Sequence, residues 1–214
     1  AGHQGWADNM LEINPAVERC VHFVAGHEVR VCFPLDSVCV KSDYPTNAME
    51  VMYPGAHSDV GGGYAPKALG VSPAADAFMS IIPGKRMYEE AINVGVPLKE
   101  WHHQLEERFR KDLTPSDATI ADFNAYIKAA NIGSGPVEDL GRRHMAYYFS
   151  YRFKHRNAFF QRPPFTNASA KDQGYLRSTQ NCFIKRLSSL TPAFDPGKPR
   201  SARDQIALSP VFDP

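Results

Sequence analysis

Two hydrophobic rhythms divide the chain. Before residue 54 the apolar positions come in short, partly β-branched runs, and after Pro73 they recur at helical spacing. In CVHFVAGHEVRV, from Cys20 to Val31, the apolar core Val21-His22-Phe23-Val24-Ala25 ends in a polar turn, which predicts a buried strand. Met49 to Tyr53 in AMEVMYPG predicts a second strand, stopped by Pro54-Gly55. Phe78, Met79, Ile81, Ile82, then Met87, Tyr88, Ala91 and Ile92 predict one kinked helix or two short ones around Pro83-Gly84. Trp101, Leu105 and Phe109 predict an amphipathic surface helix. Thr114-Pro115-Ser116-Asp117 predicts a helix start with Thr114 as N-cap, the helix running to about Ala130 and stopping before Gly133-Ser134-Gly135-Pro136. Further helices are expected from Val137 to Arg156 and from Lys171 to Leu190.

Two strands cannot bury both faces of a sheet, so this order predicts an α/β fold of which the chain holds only the last strands, followed by a mainly helical region. Residues 1–98 are expected to form that α/β part, 99–190 a helical region, and 191–214, with five prolines, an irregular tail. The chain opens at Ala1 without an initiator Met, which suggests a processed start or a piece of a longer protein. No apolar run is long enough to span a bilayer, and the first 30 residues lack signal-peptide order.

Composition narrows the function classes. At 214 residues, 43% hydrophobic and net +1, the chain has material for a core and is not the strongly basic composition of a dedicated nucleic-acid binder. Cys20, Cys32, Cys39 and Cys182 form no CxxC pair and no zinc spacing, so reduced structural cysteines and no metal site are expected.

The segment that carries chemistry is Tyr53-Pro-Gly-Ala-His-Ser-Asp-Val-Gly-Gly-Gly-Tyr64, a histidine four residues past a strand on a loop before a glycine run. Loops at strand ends hold catalytic groups in α/β enzymes, because the sheet fixes the loop while the side chain reaches a crevice. His57 is therefore a candidate catalytic residue, with an ordinary polar loop residue as the alternative. Asp59 is expected to bond nearby backbone amides and, with Gly61, Gly62 and Gly63, to shape the loop.

YPGAHSDVGGGY resembles the signature of a bacterial α/β-hydrolase family that includes the family-one lipase effectors of the type VI secretion system. The likeness extends upstream through CVHFVAGHEVRVCFPLDSV and downstream through IIPGKRMYEEAINVGVPL and, more weakly, GRRHMAYYFSYR. Ala56 stands at a position that is usually β-branched in the family. The resemblance implies the C-terminal portion of an α/β-hydrolase fold and a serine carboxylic ester hydrolase of phospholipase A type, acting through a Ser-Asp-His triad without a cofactor. His57 maps onto the general base.

The family's chain order is serine, acid, histidine, with the serine on a G-x-S-x-G elbow. No G-x-S-x-G occurs in these residues, and Gly133-Ser134-Gly135 reads as a linker. The serine and acid are accordingly expected ahead of Ala1, on the N-terminal remainder of the enzyme, leaving this chain incomplete by itself. An in-chain substitute for the acid is Glu28, which follows the first strand; the preferred reading of Glu28 is instead a structural pair with Arg30. The resemblance further implies synthesis in a bacterial cytoplasm and type VI secretion into the target-cell periplasm. An antibacterial role on membrane phospholipids, a spike carrier and an immunity protein follow from it, and no nucleic acid. A soluble esterase, or a non-catalytic membrane-docking or inhibitor-binding domain, are the alternatives.

The small net charge hides a split. From Leu140 to Lys171 the chain holds Arg142, Arg143, Arg152, Lys154, Arg156, Arg162 and Lys171 with no acid, a local +7, so the rest carries a net −6. Eight aromatics share that stretch. The mixture suits an anionic bilayer, single-stranded nucleic acid, or a helix with an aromatic core face and a solvated basic face. For a lipase the bilayer is preferred over nucleic acid, with Arg152, Lys154 and Arg156 facing it.

Overall fold

The computed structural model describes residues 12–29, 33, 35–40, 43–70 and 74–190, with the side chains of 186–190 left out. The proline-rich tail, Cys32 and Arg30 lie outside the described residues. The chain divides into two compact units, Ala1–Tyr64 with Ala75–Met145, and Ala65–Ala74 with Ala146–Pro214.

Unit one contains both strands found among the described residues, β1 (Cys20–Ala25) and β2 (Ala48–Tyr53), paired in parallel from Cys20 opposite Ala48 to Ala25 opposite Tyr53. Parallel neighbours need a long crossover, here residues 26–47. The crossover is anchored by Glu50 of β2, whose side chain is only 4% exposed. Its carboxylate accepts hydrogen bonds from Ser37 Oγ at 2.7 Å, the Val38 N–H at 2.9 Å and His22 Nδ1 at 2.9 Å. A buried carboxylate is tolerable because its oxygens are saturated with donors.

Helix α1 is the single turn His57–Val60, and α2 spans Ile81–Asn93 without a break. Pro83 does not kink α2, contrary to the expectation from Pro83-Gly84, because it falls in the first turn, where no N–H has an intrahelical partner to lose. The Trp101–Phe109 helix is shorter than its spacing predicts: α3 covers only Glu107–Asp112. Upstream, Glu100 accepts from the His103 N–H at 2.7 Å, and Gln104 accepts from the Glu100 N–H at 3.0 Å. Such side-chain to backbone bonds hold a turn in place of a helix. Trp101 is buried in that turn, edge-on to Tyr88 at 5.5 Å.

Helix α4 runs Asp117–Ala130 and is capped by Ser116, which accepts the Thr119 N–H, rather than by Thr114. It ends at Asn131 in the left-handed region. Helix α5 spans Val137–Lys154, its first half in unit one and its second in unit two. The core of unit one gathers Val24, Val38, Ile81, Trp101, Ala130 and Val137.

Unit two adds α6 (Pro163–Thr166) and α7 (Ala170–Leu190) around buried Tyr147, Phe165 and Ala168. The described residues thus form a partial α/β arrangement, two parallel strands followed by helices.

Candidate active site

The parallel register brings the carboxyl ends of β1 and β2 to the same edge of the sheet, where α/β folds place their crevices. The ladder continues beyond the strands, with the Gly26 N–H donating to the Tyr53 carbonyl at 2.8 Å and the His27 N–H to the Gly55 carbonyl at 2.9 Å. Glu28 lies three residues past β1 and His57 four past β2. The two meet: His57 Nδ1 lies 2.7 Å from Glu28 Oε2, which also accepts the His57 backbone N–H at 3.3 Å.

An ionised carboxylate only accepts, so Nδ1 carries the proton and the neutral imidazole has its lone pair on Nε2. The Glu28 side chain is 6% exposed and that of His57 40%, an acid held inside and a ring presented outward. Phe33 stacks on the His57 ring at 4.4 Å with planes 10° apart, fixing its tilt. A cleft of about 210 Å³ opens here, lined by Glu28, His57, Phe33, Leu35, Asp36 and His22 among others.

The loop is shaped from within. Asp59 accepts the Ala56 N–H at 2.8 Å. Burial pushes the Asp59 carboxyl above its ordinary range, while that bond and the neighbouring His57 pull the other way. Gly55 has φ +110°, and a Cβ on it would stand 2.5 Å from Asp59 Cβ and 2.8 Å from Met79 Cε. Gly63, at φ +79°, leaves room for Ser80 Oγ, which a Cβ would approach to 2.9 Å. Gly62 is also left-handed, at φ +120°, whereas Gly61 at φ −94° is the C-cap of α1.

Behind the loop lies a cluster that sequence reasoning missed. His27, next to Glu28, accepts the Gly55 N–H on Nδ1 at 3.0 Å, and its Nε2 lies 3.0 Å from Tyr126 Oη. Tyr126 Oη lies in turn 2.7 Å from His144 Nδ1. Burial, then the neighbouring His144, draws His27 from 6.5 to about 4, and burial lowers His144 as well. Nothing local in the sequence links these residues, 99 and 18 positions apart.

The basic-aromatic stretch behaves differently from the acid–histidine pair. In unit two, Arg152 donates to Tyr148 Oη and to Gln180 Oε1, each at 2.8 Å, and its guanidinium lies over Phe183 at 4.7 Å and Phe159 at 5.3 Å. Arg156 donates to the Phe153 carbonyl and lies 3.9 Å over that residue's ring, its pKa lowered by burial. Of the three residues expected to face a bilayer, only Lys154 is exposed. Among the described residues no helix is long and apolar enough to cross a membrane, and no three His, Cys, Asp or Glu side chains converge as a metal requires.

Comparison with known proteins falls on the same segment. No curated protein matches the chain. Its structure is similar to the crystal structure of an uncharacterized protein from Pseudomonas aeruginosa, with a TM-score of 0.70 and 26% identity over 100% of this chain and 34% of that one. The chain therefore spans about a third of that protein's length. Residues 3–90 match the family described as T6SS, Phospholipase effector Tle1-like, catalytic domain. Over those residues, Glu28 and His57 among them, the chain is similar to the catalytic domain of the Tle1-like phospholipase effectors.

Proposed function

We propose that this chain supplies the acid–base half of a serine phospholipase that cleaves ester bonds of membrane phospholipids. His57 is the general base and Glu28 the acid that orients it. The observation that carries the reading is the 2.7 Å contact between Glu28 Oε2 and His57 Nδ1 at the carboxyl ends of two parallel strands. With Nδ1 held by the carboxylate, Nε2 takes the proton of a serine hydroxyl as that oxygen attacks the ester carbonyl, and then delivers it to the leaving alcohol. Water deacylates the serine by the reverse proton path. Glu28 stays ionised and stabilises the imidazolium that forms between the two transfers.

The serine comes from a segment outside these 214 residues, since none of their serines sits on a G-x-S-x-G turn. In this reading the chain is the C-terminal portion of an α/β-hydrolase fold, β1 and β2 being its last strands. The acid lies within the chain, because Glu28 already occupies the position behind the histidine. The proposal extends to a finer setting: delivery into the periplasm of a rival bacterium, a spike protein as carrier and an immunity protein as antidote.

The test uses the natural polypeptide that carries this segment. A serine-directed fluorophosphonate should label it, and phosphatidylglycerol or phosphatidylethanolamine vesicles should release fatty acid. His57→Ala should abolish the release by about three orders of magnitude or more. Parent-level release by the variant removes His57 from the mechanism and the proposal with it.

A further inference from the structure

We propose that His27 is a positioning residue, a two-point clamp that locks the loop bearing His57 to the strand end bearing Glu28 and is itself held by Tyr126 and His144. The proposal rests on the acid–base reading of Glu28 and His57 and goes one layer behind it.

The geometry is reciprocal. The His27 backbone N–H donates to the Gly55 carbonyl at 2.9 Å, and the Gly55 N–H donates to His27 Nδ1 at 3.0 Å. One residue therefore grips both polar groups of the same glycine. Glu28 follows His27 directly, and His57 stands two residues after Gly55, so the clamp sets the separation of the two side chains that must meet at 2.7 Å.

Proton directions at His27 are fixed by one end. A backbone N–H can only donate, so Nδ1 of His27 is the unprotonated nitrogen and Nε2–H donates to Tyr126 Oη. The Tyr126 hydroxyl in turn shares a hydrogen bond with His144 Nδ1 at 2.7 Å. Both ring nitrogens of His27 thus have their donor or acceptor role set, so His27 has one orientation. Burial, which favours neutral His27, keeps the lone pair that the clamp needs.

Packing fixes the far end. His144 is 3% exposed and packs against Gly26, where a Cβ would come within 2.8 Å of its ring. His27 meets both Tyr126 and His144 edge-on at 5.6 Å, and Tyr126 stacks on His144 at 5.8 Å. The clamp is thus braced by α4 through Tyr126 and by α5 through His144, while the reacting groups sit on the loops it holds. A displacement of about 1 Å in such groups costs on the order of a hundredfold in rate.

The test compares His27→Leu, His27→Asn, His27→Gln and Tyr126→Phe in the natural polypeptide. Two quantities are read for each, kcat and KM on phospholipid vesicles and the downfield proton resonance of the His57–Glu28 hydrogen bond. Asn carries its oxygen where His27 has Nδ1, and Gln where it has Nε2, so Asn alone restores an acceptor for Gly55. His27→Leu should lower kcat about a hundredfold with KM within about twofold, and should erase the resonance. His27→Asn should recover most of both, and Tyr126→Phe should fall between.

A folded His27→Leu protein with parent kcat and an intact resonance overturns the clamp. If His27→Leu does not fold, the amides decide: Asn active and Gln impaired supports it, and equal behaviour overturns it. Hydrolysis that survives His57→Ala would remove the hydrolase reading alone, since the resonance reports the clamp without reference to turnover.

Discussion

Unit one and unit two use the same kinds of residue to opposite ends. In unit one, rings and carboxylates meet through directional hydrogen bonds: Glu28 with His57, His27 with Gly55, Tyr126 with His144. In unit two, guanidinium groups lie over aromatic faces, Arg152 over Phe183, Arg156 over Phe153 and Arg177 over Phe160 at 4.8 Å. The first arrangement orients ring nitrogens, whereas the second packs guanidinium groups against rings, with Arg152 and Arg156 half-buried and Lys154 and Arg177 exposed.

The contrast can be broken most severely at the loop. Gly55→Ala forces a left-handed backbone and a 2.5 Å approach to Asp59 Cβ, and should destabilise unit one by about 3 to 4 kcal/mol in chemical denaturation. A loss under about 1 kcal/mol would mean that the loop is looser than its hydrogen bonds imply.

Acid sharpens the comparison next. His27 titrates near 4 in the folded state against 6.5 unfolded, so its stabilising contribution is complete above 6.5 and is lost as pH falls toward 4. The parent should lose about 3 kcal/mol over that window on this account, and His27→Asn should lose less. Equal pH dependence of the two would show that His27 is not the buried neutral group described.

In unit two, Arg152→Ala removes two hydrogen bonds and the guanidinium–ring contacts, and should cost about 2 kcal/mol with little change in vesicle binding. Lys154→Glu should change stability by under ~0.5 kcal/mol, because that side chain is exposed. If Lys154→Glu were the more destabilising of the two, the inward reading of the basic stretch would fail.

Local pattern made both strands, the helix from Val137 and the His57 loop legible in the sequence, since each is marked by residue types and spacing within a few positions. Where expectation and structure part, non-local or side-chain chemistry intervenes. Ser116 rather than Thr114 caps α4, because its hydroxyl is the one that reaches the Thr119 N–H. The turn at Trp101 displaces a helix through Glu100 and Gln104. Glu28 reads in sequence as a partner for nearby Arg30, which lies outside the described residues; the contact the sequence does not reveal is with His57, 29 residues away, where the parallel register carries Glu28. Charge counts mark Arg152 as available, but they carry no information on which rings fold over it.

The account stands on Glu28 and His57 acting as one unit, which a double-mutant cycle measures in a single experiment. In the natural polypeptide, kcat/KM on phospholipid vesicles is compared for Glu28→Gln, His57→Ala and the double variant, with thermal melts to confirm folding. Glu28→Gln alone should cost about 10² to 10⁴-fold, and the double variant should be no slower than His57→Ala, since an orienting acid has nothing left to orient. Losses that multiply, or a Glu28→Gln protein as fast as the parent, would contradict the assignment of Glu28 as the acid of the site.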